Sequence, residues 1–294
     1  MKKAFIQLHI AVFLAGFTAI LGKLITLNEE LLVWYRMLIT VVTLAMILYF
    51  KKQLKKLHFK ITVTIFAVGA IVAFHWVCFY GSIKYSNISV SLTCLSAMGF
   101  FTSILEPLIK KRRIDLVEII FGLVAIAGIY LIFDFYPQYK LGILFGIVSA
   151  LLASIFPIFN KDLLKKFSAE TVTLYEMTGG FLALTLVLPF YVKLFPAGYY
   201  WPSITDWLWL LVLAWLCTVV SFILQLNALK KISAFTSNLT YNLEPIYGII
   251  LAFIIFHENK FLSSGFYYGL GLIILAVVLQ MAREAYKSKK YRQV

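Results

Sequence analysis

Three observations predict an all-α integral membrane protein of ten transmembrane helices, arranged as two inverted five-helix repeats. The 294-residue chain is 62% hydrophobic and 14% charged, more apolar surface than a soluble domain of this length can bury. Its apolar residues fall into ten long runs. Its two halves also resemble one another.

The runs follow from the thickness of a bilayer. A helix crossing roughly 30 Å of hydrocarbon needs about 20 apolar residues, because every backbone amide must be satisfied within the segment. Such runs lie near 4–26, 31–50, 61–80, 87–109, 115–133, 141–160, 171–191, 207–228, 234–256 and 263–281. The first is preceded by Met1-Lys2-Lys3, as a signal peptide would be. It continues to about Leu21 without a cleavage site, and the internal repeat needs it as a helix. The basic residues between runs set the orientation. Alternate connections that include the N-terminus carry 21 Lys and Arg, among them Lys51 to Lys60, Lys110 to Arg113 and Arg283 to Arg292, against four (Lys84, Lys140, Lys193 and Lys260) on the other side. Positive loops stay in the cytoplasm, so both termini are expected inside, in a cell inner (plasma) membrane protein. Trp34, Tyr35, Tyr85, Tyr136, Tyr139, Tyr199, Tyr200, Trp201 and Trp207 crowd the expected outer boundary as an interfacial belt.

The repeat is carried by short matches. Ser82-Ile83-Lys84 and Asn87 to Ser91 align, at an offset of 146, with Ala228-Leu229-Lys230 and Ser233 to Ser237. Trp34-Tyr35-Arg36-Met37 aligns with Leu174-Tyr175-Glu176-Met177 at an offset of 140. Five helices per copy is an odd number, so the second copy enters the membrane inverted. The units are 4–133 and 141–281, followed by a basic cytoplasmic tail, 282–294.

Ala228-Leu229-Lys230-Lys231-Ile232-Ser233-Ala234, with Asn242-Leu243-Glu244-Pro245-Ile246-Tyr247-Gly248 and Phe256-His257-Glu258, closely resembles the end of the second repeat of EamA-type members of the drug/metabolite transporter superfamily. Gly22-Lys23 and Tyr35-Arg36 resemble features of the first repeat. The resemblance implies ten helices around a central cavity, and export or exchange of amino acids or other small metabolites. The first half departs from the second: Gly99 and Arg112 stand where the second half has Pro245 and Glu258.

Several polar side chains fall where lipid would penalise them. Glu244 lies about ten residues into the ninth run, near mid-depth, where a carboxylate costs on the order of 2.5 to 3.5 kcal/mol and must face protein or water. Glu244 is the leading candidate for a substrate or proton site; the alternative is a carboxyl satisfied by a neighbouring helix. Pro245 cannot donate to the carbonyl of Tyr241, so a kink is expected there. Asn238, Tyr241 and Asn242 lie on the neighbouring turn. His75 sits beside Trp76, with Tyr80 one turn on; its repeat mate is Ser221, with Gln225 one turn further. A histidine at that depth titrates, donates to a substrate, or makes a structural hydrogen bond. Ser96 is a weaker pathway candidate, because serine often serves close helix packing. Lys23, Arg36 and Glu176 are candidate charge anchors. Arg36 either attracts an anionic group, pairs with Glu29 or Glu30, or snorkels to the interface. Gly142 with Gly146 and Gly265 with Gly269 read as packing pairs.

These features favour a secondary transporter of a small metabolite, with Glu244 as a proton carrier. A passive channel is the second reading and a membrane enzyme the third. No H-E-x-x-H helix, Gly-x-Ser-x-Gly elbow or Walker loop is present in the sequence. Cys78, Cys94 and Cys217 are widely spaced in apolar runs, without metal-ligand neighbours. No cofactor or metal is expected, and the partners are a small-molecule substrate and the lipid bilayer rather than nucleic acid. Oligomeric state is left open by the sequence.

Overall fold

The computed structural model describes residues 2–111, 113–135, 137–196, 198–229, 240–241 and 243–290. Among them the regular elements are helices, with no strand. They are α1 (Lys2–Leu24), α2 (Glu29–Phe50), α3 (Phe59–Tyr85), α4 (Ile88–Leu95), α5 (Met98–Lys110), α6 (Leu116–Phe135), α7 (Lys140–Leu163), α8 (Ala169–Leu194), α9 (Ile204–Ala214), a π-helical turn (Trp215–Val220), α10 (Ser221–Leu229), α11 (Glu244–Phe256) and α12 (Ser264–Lys290). Seven helical stretches are long and apolar enough to cross a membrane, α4 with α5 and α9 with α10 each counting as one, and three shorter apolar stretches lie in α6, α11 and α12.

Helix starts follow local chemistry. Asn28, Asn87 and Ser168 each accept a hydrogen bond from the backbone N–H three residues on, at the starts of α2, α4 and α8. Ser203 and Asp206 form a reciprocal capping box on α9. Large apolar side chains such as Ile6 and Ile10 of α1, Leu182, Leu186 and Phe190 of α8, and Ile250 and Ile254 of α11 face outward, as a lipid-facing surface requires.

Small residues set the closest helix contacts. A Cβ on Gly69 would fall 1.9 Å from the carbonyl oxygen of Glu176, so α3 and α8 touch backbone to backbone there. Gly128 of α6 and Gly269 of α12 face one another in the same way. Gly142 and Gly146 lie against Ser86 and Cys94.

Three departures from the apolar runs position the site. The run 87–109 breaks at Ser96 and Ala97, dividing α4 from α5. The run 207–228 contains a full π turn. In the run 234–256 Thr240 and Tyr241 are helical, Leu243 is a turn, and a regular helix starts at Glu244 with Pro245 in its first turn. A proline suits that first turn because its missing N–H would have no partner there. Residues 282–290 are helical and continue α12.

Candidate functional site

The two helix breaks meet. α5 begins at Met98 and α11 at Glu244, the same offset of 146 that aligns Ser82 to Ser91 with the second half. Around them lies a narrow, partly open cleft lined by Leu95, Ser96, Met98, Gly99, Tyr241, Glu244, Pro245 and Val277. Glu244, Tyr241 and Ser96 are thus brought to one hollow. The Glu244 carboxylate accepts no hydrogen bond among the described residues, and its charge interacts with that of Arg36. Gly16 of α1 lets the backbone of α11 approach, since a Cβ there would lie 3.0 Å from the carbonyl oxygen of Glu244.

Arg36 is the second centre. It is 2% exposed, it pairs with neither Glu29 nor Glu30, and it does not snorkel. Its Nη1 donates to the Tyr80 hydroxyl at 2.7 Å and its Nε to Thr218 Oγ1 at 2.8 Å. The guanidinium lies 3.6 Å from the Trp76 ring centroid, close enough for a strong cation–π contact. Thr218 belongs to the π turn and donates to the carbonyl of Leu213, so the irregular turn presents the oxygen that Arg36 reads. Nη2 reaches the Cys217 carbonyl only at 3.5 Å. Arg36 makes no ion pair among the described residues, and a buried cation of that kind leaves a charge for something else to balance. Tyr80 in turn needs Gly22, where a Cβ would fall 2.3 Å from its ring.

The other candidates lie elsewhere. His75 turns to α7, its Nδ1 at 2.9 Å from both the carbonyl oxygen and Oγ of Ser149. Ser221 donates to the carbonyl of Ala11, tying α10 to α1, and Gln225 is half-buried. Glu176 is fully buried between α3 and α7, both carboxylate oxygens outside hydrogen-bond distance of a donor among the described residues, with the Asn160 amide alongside. Asn238 and Asn242 lie outside the described residues. Lys23 donates to Glu258 at 2.7 Å and covers the Phe256 ring.

Residues that the run pattern did not single out complete the picture. Glu258, 4% exposed, accepts from Lys23, from the backbone N–H groups of Ile88 (3.2 Å) and Ser89 (2.9 Å), and from Ser89 Oγ (2.7 Å). Burial pushes its carboxyl up, and the Lys23 and Ser89 hydrogen bonds outweigh that, so it titrates below its ordinary value. Asp206 accepts from the Thr26 N–H at 2.7 Å and from its hydroxyl. At the opposite end Lys110 pairs with Asp162, and Arg283 with Asp115 and Glu118. Thr218 carried no signal in the sequence; Glu258 carried one, a carboxylate just past an apolar run.

The EamA-like transporter family model matches the chain twice, over residues 2–134 and 140–282. The chain belongs to the EamA-like transporter family. That family falls in the drug/metabolite transporter superfamily, and the long apolar helices are those of a multi-pass membrane protein. Among relatives, an uncharacterised transporter of Archaeoglobus fulgidus is 28% identical over 173 residues, 59% of each chain. One from Haemophilus influenzae is 28% identical over 52% of this chain and 53% of that one, so the EamA-like chain aligns with a little over half the length of these two relatives. The uncharacterised transporter YetK of Bacillus subtilis is 26% identical over 87% of this chain and 80% of its own. A solved crystal structure superposes with a TM-score of 0.63 at 14% identity, over 97% of this chain and 99% of that one, which shows a shared fold.

Proposed function

We propose that this EamA-like protein is a secondary carrier that exports a small metabolite, an amino acid or a related compound, across the plasma membrane by alternating access. In this reading ten helices form two inverted five-helix repeats, 4–133 and 141–281, with both termini cytoplasmic. The observation that carries it is the cleft at matching helix breaks of both halves. Broken helices at a repeat interface leave backbone polar groups where a solute can use them. Among the described residues, Glu244 opens into that cleft with no hydrogen bond of its own, and Arg36 is a buried cation that makes no ion pair. A substrate carrying both an ammonium and a carboxylate complements this pair of charges, and Trp76 and Tyr80 hold the guanidinium in place. Glu244 also serves as the proton carrier.

The experiment is an amino-acid and small-metabolite panel against purified protein, scored by thermal shift and followed by liposome flux for each hit. Saturable flux with counterflow is expected, and ohmic current would replace the carrier with a channel. Uptake driven by a pH gradient should be lost in Glu244→Gln while exchange of substrate for substrate survives. Full retained coupling in that variant would remove Glu244 from the mechanism.

A further inference from the structure

Glu258 is not part of the cleft, yet it is among the most heavily bonded carboxylates in the protein. It comes from the turn after α11, in the second matched half, and its partners all come from the first: Lys23 at the end of α1, and Ile88 and Ser89 at the start of α4. α4 ends at the break that lines the cleft. One carboxylate therefore ties α1, α4 and α11, three helices that surround the centre, at a single end of the molecule.

A related tie stands at the other end. Lys110 closes α5 and pairs with Asp162, in the last turn of α7. At the offset of 146 Glu258 corresponds to Arg112, two residues beyond Lys110, and at the offset of 140 Lys23 corresponds to Leu163, next to Asp162. The two ties thus lie within one or two residues of repeat-related positions, with the charges exchanged. They differ in depth: Glu258 has a side chain 5% exposed, Asp162 one 54% exposed.

We infer that the contact of Glu258 with Lys23 and Ser89 is the outer gate of the carrier, holding the cleft closed toward the outside, and that Lys110 with Asp162 is the inner counterpart, exposed enough to part while the outer one holds and kept paired when the outer one releases. This rests on the carrier reading above. A carboxylate with four donors from two helices is a cooperative tie: breaking it frees the start of α4, and with it the break at Ser96, while α11 moves independently. Glu258 acts on the substrate only through those helices, so it is a positioning residue.

The test reads which face reaches the cleft and needs no known substrate. Cys78, Cys94 and Cys217 are replaced by Ala, and Ser96→Cys is introduced. A membrane-impermeant trimethylammonium methanethiosulfonate is then applied to intact cells and to inside-out vesicles. With Glu258 intact, labelling is expected from the cytoplasmic face and not from outside. In Glu258→Gln, which weakens the charged hydrogen bonds but keeps the shape, labelling from outside should rise by roughly tenfold or more, and cytoplasmic labelling should fall. Lys23→Met and Ser89→Ala should give smaller changes in the same direction. Because they leave the carboxylate in place, they keep the test decisive if Glu258→Gln fails to fold. Labelling confined to the cytoplasmic face in every folded variant overturns the gate and leaves the carrier standing. Labelling of the parent from outside alone also overturns it. Equal labelling of the parent from both faces overturns the carrier reading itself.

Discussion

The two ends of the molecule are tied across its matched halves by different chemistry. At the Lys23 end, Glu258 and Asp206 are 4% and 1% exposed and take hydrogen bonds from backbone amides and hydroxyls of the other half. At the Lys110 end the ties are half-exposed ion pairs: Asp162 with Lys110, and Arg283 with Asp115. Buried, multiply bonded carboxylates are costly to break because each lost partner leaves another stranded, whereas exposed pairs exchange readily with water. The Lys23 end is therefore the harder of the two to open.

That contrast ranks the expected effects of breaking it. The largest belongs to Glu258→Ala, which strands the Lys23 ammonium and two α4 amides; thermal or chemical unfolding should show a loss of about 3 to 5 kcal/mol. Next is Arg36→Lys. Lysine cannot reach Tyr80 and Thr218 together or stack as flatly on Trp76, so substrate flux should fall at least roughly tenfold, while both end ties remain. Acid comes third. Because Glu258 titrates below its ordinary value, its contribution is fully present above about pH 4.3 and is lost as pH falls through the lower folded value. Cysteine labelling of the cleft from the outer face should therefore stay flat near neutrality and rise only in strong acid. A rise near pH 7 would mean that another group governs that end. The smallest effect is that of Asp162→Asn, about 0 to 1 kcal/mol and erased by high salt. A loss comparable to that of Glu258→Ala would remove the distinction between the ends.

Hydropathy made the helical spans legible, because lipid enforces length and composition. Glu244, Tyr241 and Ser96 stood out for a related reason: polar groups in an apolar run are expensive, and the structure gathers these three around one cleft. Trp76 and Tyr80 were visible as neighbours in the sequence, but their service to Arg36 was not, since that contact joins α2 to α3 through a π turn in the other half. The breaks at Ser96 and Glu244 were hidden because Leu95, Ala97 and Met98 on one side, and Pro245 and Ile246 on the other, keep the runs apolar across them. The Glu258 tie was hidden for a different reason. Its partners lie 235 and 169 residues away, and no local pattern records a pairing over that distance.

The most direct measurement places spin labels in two pairs on reconstituted protein: Ser86→Cys with Lys260→Cys at the Lys23 end, and Lys111→Cys with Lys165→Cys at the other. Distances by double electron–electron resonance are compared with Glu258 intact and replaced by Gln. Ends that open in alternation require the first distance to lengthen and the second to shorten together. A first distance that stays fixed, or two distances that lengthen together, would contradict it.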